Sequence, residues 1–332
     1  AGEISPEILR SLGGREKSLS NRAAQGGYPP GSVFKIFTAY AALAEKVVGV
    51  HDRINCPGFL HFAGRNYRCH KRSGHGPVNL EEAMIQSCDV YFYTVGQRLG
   101  VDKIHEYSVM FGLGSTTKFD LAHEHPGLIP STEWKKRAFR KREDQKWYAG
   151  ETLSVSIGQG AVVTTPLQIN RAVATLLNGG KLMRPYVIKD VKVEDPPLYG
   201  PIQDGQVELD SQIVELLKKS LEGVVNSPRG TGRRSILPDE FGVTVAGKTG
   251  TAQVVSLSVV TTEERFKDHA WFFAYAPAEK PEIVVTALAE NGGGGGSVAA
   301  PMVKIVLESY FRKKQPAAGI EEGEVPVETE SG

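Results

Sequence analysis

Ser32 and Lys35 stand three residues apart in "GSVFKIFTAYAALAEKV". On a helix that spacing puts the hydroxyl and the amine on one face. A serine hydroxyl is a poor nucleophile near neutral pH and needs an adjacent base. A lysine can be that base when burial and a nearby positive charge favour its neutral form. Val33, Phe34, Ile36 and Phe37 supply an apolar setting, and Lys248 is a candidate for the second charge. Alone, the pair equally describes a helix cap followed by a surface lysine. Its weight comes from company: Ser87-Cys88-Asp89 interrupts two apolar helical stretches, and Lys248-Thr249-Gly250 sits in a strand-like run. A second Ser-x-x-Lys, from Ser115 to Lys118, has no apolar periodicity around it.

Gly242, Gly247, Lys248 and Thr249 also satisfy the G-x-x-x-x-G-K-[ST] spacing of a nucleotide phosphate loop. Such a loop needs a flexible turn between a strand and a helix. Here the intervening residues are "VTVA" and the following "TAQVVSLSVV" is β-rich, so a strand is expected and a nucleotide site is not.

All three cysteines, Cys56, Cys69 and Cys88, fall in one segment with His51, His61, His70 and His75 in or near it. Three thiolates and one imidazole suffice for a closed tetrahedral zinc site. A Cys56/Cys69 disulfide with Cys88 free, or three unrelated thiols, are the competing readings.

These groups need elements to position them. A helix is expected from near Ser32, two helices meet near residues 87–89, and "TPLQINRAVATLLNGG" reads as a helix with a proline start and glycine stop. The region of about 32–180 is therefore expected to be mostly helical. From about 211 to 313 the order is a helix "SQIVELLKKSLEGVV", strand-like runs through "GVTVAGKTGTAQVV", "HAWFFAYAP" and "EIVVTALAE", and an amphipathic helix "APMVKIVLESYF" to cover an antiparallel sheet. The acidic 314–332 is expected to be disordered. The 332 residues carry 39 lysines and arginines against 38 acidic residues, so no global field points to nucleic acid. No window offers the roughly 20 apolar residues of a membrane span. The opening "AGEISPEILR" reads as the middle of a longer protein, which leaves room for a membrane anchor upstream.

Ser-x-x-Lys, a Ser-x-[Asn/Asp] triplet and Lys-Thr-Gly together resemble the penicillin-recognising serine acyltransferases. The blocks "NRAAQGGYPPGSVFKIFTA", "GHGPVNLEEAMIQSCDVYFYTVGQRLG", "FDLAHEHPGLIPSTEWK", "WYAGETLSVSIGQGAVVTTPLQI" and "VAGKTGTAQ" are similar to the transpeptidase domain of the penicillin-binding protein 2 family, the class B enzymes of cell-wall elongation. The resemblance implies an α/β (α+β) penicillin-binding transpeptidase or serine β-lactamase-like fold: an antiparallel sheet flanked by helices, plus an all-helical subdomain, as one transpeptidase domain over 1–313. It implies a peptidoglycan D,D-transpeptidase inhibited by β-lactams; a β-lactam sensor, a D,D-carboxypeptidase and a serine β-lactamase share the triplets. Strands that precede the serine motif in that family are not visible in the sequence.

On that resemblance Ser32 is the nucleophile and Lys35 its base. Ser87 would relay a proton to the leaving amine. Lys248, Thr249, Gly250 and Thr251 would bind the substrate carboxylate, and the N–H groups of Ser32 and Thr251 would form the oxyanion hole. Asp89 departs from the usual asparagine, and pairing with Lys35 or a nearby backbone N–H is expected of it. Some elongation-type members carry zinc beside the second triplet, which assigns Cys56, Cys69, His75 and Cys88 as ligands, with His70 the substitute. No organic cofactor is implied. The implied setting is the bacterial inner membrane with the catalytic domain in the periplasm. Implied partners are the peptidoglycan stem peptide, β-lactam antibiotics, a SEDS-type glycosyltransferase and elongation scaffold proteins.

Overall fold

The computed structural model describes residues 20–121, 123–188, 200–253 and 266–314. The acidic tail beyond 314 and the β-rich continuation after Gln253 lie outside the described residues.

The chain from Gly31 is apolar on every side, and such a helix must be buried. It opens as a 3-10 turn, Gly31–Phe34, and continues as an α-helix, Lys35–Ala44, whose residues from Lys35 to Ala42 are all buried. Around it pack the helices Asp89–Leu99, Val101–Met110 and Ser211–Asn226. The expected helix after Thr165 runs Pro166–Leu177, with a reciprocal Thr165/Gln168 cap at its start.

The helix-rich reading of 32–180 needs one correction. Residues 54–78 are folded as two small antiparallel ribbons: β1 (Ile54–Cys56) pairs with β4 (Gly76–Val78), and β2 (Phe59–Phe62) with β3 (Arg65–Arg68). The β2–β3 connection is the two-residue Ala63-Gly64, both at positive φ, which matches the twist of a tight hairpin. The four strands are only three or four residues long, and the apolar Phe59, Leu60 and Phe62 of β2 face a polar Arg-Asn-Tyr-Arg β3, so no sustained apolar period marks the stretch in the sequence. Strands β5 (Lys181–Arg184) and β6 (Ile202–Gln206) form another pair.

The main sheet has three described strands in the order β7 (Ala246–Ala252), β8 (His269–Ala276), β9 (Ile283–Ala289), all antiparallel. Period-two alternation sorts β8, which is buried from Ala270 onward. Trp271, Phe273 and Tyr275 enter the helical core, while Ala270, Phe272, Ala274 and Ala276 join Val303, Leu307 and Phe311 of the closing helix, Ala300–Lys314. That leaves β7 at one side of the sheet, against the serine turn. No described helix is long and apolar enough to cross a membrane.

Candidate functional site

The serine turn meets β7 at very close range. Gly31 has φ +57° and a Cβ there would lie 2.7 Å from the Thr251 carbonyl oxygen. A Cβ on Gly250 would lie 2.9 Å from Val33 Cγ1 and 3.0 Å from the Pro30 oxygen. Only glycine at both places lets the nucleophile's backbone sit against the strand. Trp271 Nε1 donates to the Pro29 oxygen at 3.0 Å and fixes the turn to β8.

Ser87 lies in the short link between helices Leu80–Ile85 and Asp89–Leu99 with φ +54°, a left-handed conformation that costs a non-glycine residue energy. The strained turn places its Oγ between two fully buried lysines. Lys248 Nζ donates to it at 2.9 Å and Lys35 Nζ at 3.2 Å. Lys35 also donates to the Ser87 carbonyl at 2.9 Å and to Asp89 Oδ1 at 2.7 Å. The other Asp89 oxygen accepts the His70 backbone N–H at 2.9 Å, so both pairings expected of this aspartate are present. Burial pushes the Asp89 carboxyl up, but the Lys35 charge and the His70 hydrogen bond outweigh it and the net shift is downward.

Two expectations change here. The spacing puts Ser32 and Lys35 on one face, yet among the described residues Lys35 hydrogen-bonds Ser87 and Asp89 rather than Ser32 Oγ. And the lysine held well below its ordinary range is Lys248, by burial first and by the Lys35 charge second. Lys248 also donates to the Thr249 carbonyl at 3.0 Å and has no solvent-exposed surface, so it stands behind Ser87 and does not face the cleft.

Because the unfolded state holds a proton on Lys248 up to 10.5 and the folded state releases it lower, stability conferred by a neutral Lys248 grows as pH rises through that window. Lys248→Met is therefore expected to be as stable as the native chain or more so, with its advantage shrinking toward alkaline pH. Denaturant titrations of both proteins across the window check this.

Ser32, Ser87, Asp89, Thr249, Gly250 and Thr251 line one cleft of about 560 Å³. The sequence reading missed Thr231, which also lines it and whose Oγ1 lies 2.6 Å from Thr249 Oγ1. The glycines flanking it in "RGTG" were the available signal. Gly294 to Gly296, from the glycine run before the closing helix, complete that side. Lys118 of the second Ser-x-x-Lys is paired with Asp204 at 3.3 Å, away from the cleft. The phosphate-loop residues Gly247, Lys248 and Thr249 are within strand β7, with Val243 to Val245 irregular before it.

Beside Ser87 the donor atoms of Cys56, Cys69, His75 and Cys88 all lie within 4.8 Å of one another. The ribbons build this cluster: Cys69 N–H bonds Gly58 O at 2.8 Å and His75 N–H bonds Cys56 O at 3.0 Å. The cysteines are free thiols, not a disulfide. His75 Nδ1 lies 3.6 Å from both Cys56 Sγ and Cys69 Sγ. Tetrahedral zinc at about 2.3 Å from sulfur and about 2.0–2.1 Å from nitrogen separates such donors by roughly 3.5–3.6 Å. The three thiols act on one another: the Cys69 thiol is pushed down, chiefly by its bond with Cys88, while Cys69 pushes Cys88 up and burial pushes Cys56 up. His70 is half-exposed and turned to Asp89, 3.5 Å from its Oδ2, so His75 is the better fourth ligand.

A serine at the head of a buried helix, a second serine between two lysines and a Lys-Thr-Gly strand lie along one cleft, the motif set of the penicillin-recognising serine acyltransferases. The family described as penicillin binding protein transpeptidase domain matches residues 7–308, and the chain belongs to it. It is 36% identical to the peptidoglycan D,D-transpeptidase MrdA of Haemophilus influenzae over 98% of its own length, and it spans about half (50%) of that relative. Among solved structures it superposes with TM-score 0.79 on Pseudomonas aeruginosa penicillin-binding protein 2 in complex with WCK 5153, at 35% identity, covering 92% of this chain and 64% of that one. The Helicobacter pylori penicillin-binding protein 2 in complex with MreC gives the same TM-score, 0.79, at 32% identity over 94% of this chain and 55% of that one.

Proposed function

We propose that this chain is the catalytic domain of a peptidoglycan D,D-transpeptidase of cell elongation, acylated by β-lactams at Ser32. The single observation that carries the reading is Ser87 Oγ bridging Lys35 and Lys248 in the wall of the cleft that holds Ser32. Ser32 Oγ attacks the carbonyl of the penultimate D-alanine of a stem peptide. The C–N bond breaks, the last D-alanine leaves with a proton, and an amine of a second strand then takes the acyl group. Lys35, Ser87 Oγ and Lys248 form the proton path: a neutral Lys248 accepts a proton through Ser87 from Lys35, which frees Lys35 to take the one on Ser32, and the reverse flow protonates the leaving amine. Thr249, Thr251 and Thr231 then hold the terminal carboxylate, and Gly250 lets the peptide lie along β7. The N–H groups of Ser32 and Thr251 stabilise the oxyanion.

Zinc held by Cys56, Cys69, His75 and Cys88 belongs to the same proposal. Four protein ligands leave no open position, so the ion is structural and locks Cys88 between Ser87 and Asp89. The setting is the periplasmic side of the inner membrane, behind an upstream anchor. An elongation scaffold protein is a partner, in line with the MreC complex of the Helicobacter relative, together with a SEDS-type glycosyltransferase.

Mass spectrometry of the penicillin-treated chain, with the adduct mapped by digestion, tests the proposal. One acyl group on Ser32 with slow release is expected. Labelling elsewhere overturns it, and rapid hydrolysis of penicillin identifies a β-lactamase instead.

A further inference from the structure

The cleft that holds Ser32 is lined on another side by Arg68, at the end of β3, and Arg72, in the turn that follows. With Arg65 and Lys71 they form a run of exposed cations in "RNYRCHKR" on a chain whose overall balance is only +1. Neither the Arg68 nor the Arg72 side chain has an ion-pair partner among the described residues. Of the two carboxylates lining the cleft, Asp89 is taken by Lys35 and the His70 N–H, and Asp268 already has interactions of its own. Two exposed arginines thus line the substrate space with no ion-pair partner among the described residues.

The backbone from Arg68 to His70 is held from several directions. The Arg68 carbonyl accepts from Tyr93 Oη at 3.3 Å, the Cys69 N–H is bonded to Gly58, and the His70 N–H is bonded to Asp89. A planar fork of donors on a fixed backbone suits a carboxylate, and the cleft already has a strand edge fit for an extended peptide. We propose that Arg68 and Arg72 form a subsite for an internal carboxylate of the substrate peptide, separate from the terminal carboxylate bound at β7. This specificity assignment rests on the transpeptidase reading above.

The test uses two peptides ending in D-alanyl-D-alanine that differ only in an internal side-group, one a free carboxylate and the other its carboxamide. The readout is the concentration of each that halves the labelling of Ser32 by a fluorescent penicillin. The native chain is expected to favour the carboxylate by about five- to tenfold, less at high salt. Arg68→Gln with Arg72→Gln brings that ratio close to one, leaving the carboxamide peptide and the penicillin labelling rate unchanged; Arg68→Lys with Arg72→Lys keeps part of the preference. Equal protection by the two peptides, no protection by either, an unchanged ratio in the glutamine variant, or equal weakening of both peptides overturns the subsite. Absence of Ser32 labelling in the native chain instead overturns the transpeptidase reading.

Discussion

Lys35→Met lowers the rate of Ser32 acylation by penicillin by about 10²–10⁴-fold, the span of a positioned general base, and destabilises the protein in the same step. The second effect follows from Asp89. Its side chain is 12% exposed and its ion-pair partner is a lysine with none of its surface exposed. Removing one member of such a pair leaves a buried carboxylate uncompensated, at about 3–5 kcal/mol. Adding Asp89→Asn to Lys35→Met is expected to recover part of the stability and none of the acylation, because the amide needs no counter-charge but supplies no base. Stopped-flow labelling and urea denaturation of the two variants separate the roles. An unaltered acylation rate in Lys35→Met would remove Lys35 from the chemistry.

Loss of zinc is expected to have the second largest effect. Chelation, or Cys69→Ser, should lower the melting temperature on the order of 10 °C, the equivalent of several kcal/mol for a chain this size, and slow acylation alongside it. The two readouts are linked by one short path: Cys88 is one of the four clustered donors, and Ser87 and Asp89 are its chain neighbours. Zinc added back to the chelated protein should restore both. Metal analysis that finds no zinc in active protein, or a chelated protein with unchanged acylation, would sink the structural-metal reading.

Much of the site was legible because its residues announce themselves in small, chemically specific groups. Ser32, Lys35, Ser87, Asp89, Thr249 and Gly250 belong to the short motifs and Thr251 follows from the resemblance, and they do converge. The antiparallel strands β7, β8 and β9 followed from runs of β-branched and aromatic residues with turn residues between them, and their order came from the structure. The ribbons of 54–78 were not legible, since strands of three or four residues are too short to show a period of their own. Thr231 was missed because a single threonine between glycines carries no chemistry until Thr249 is 2.6 Å away.

The sequence by itself determined which side chains can react: a serine with a lysine one helical turn on, a second serine, a Lys-Thr-Gly strand, and three thiols with a histidine nearby. Local spacing suffices for that, because turns and strands have fixed periods. Only the tertiary structure decided which lysine bears the penalty of burial, that Lys35 turns to Ser87 and Asp89 rather than to Ser32, and that Thr231 stands beside Thr249. Those outcomes depend on desolvation and on polar groups brought within about 3 Å from well-separated positions in the chain, and no local pattern encodes such distances.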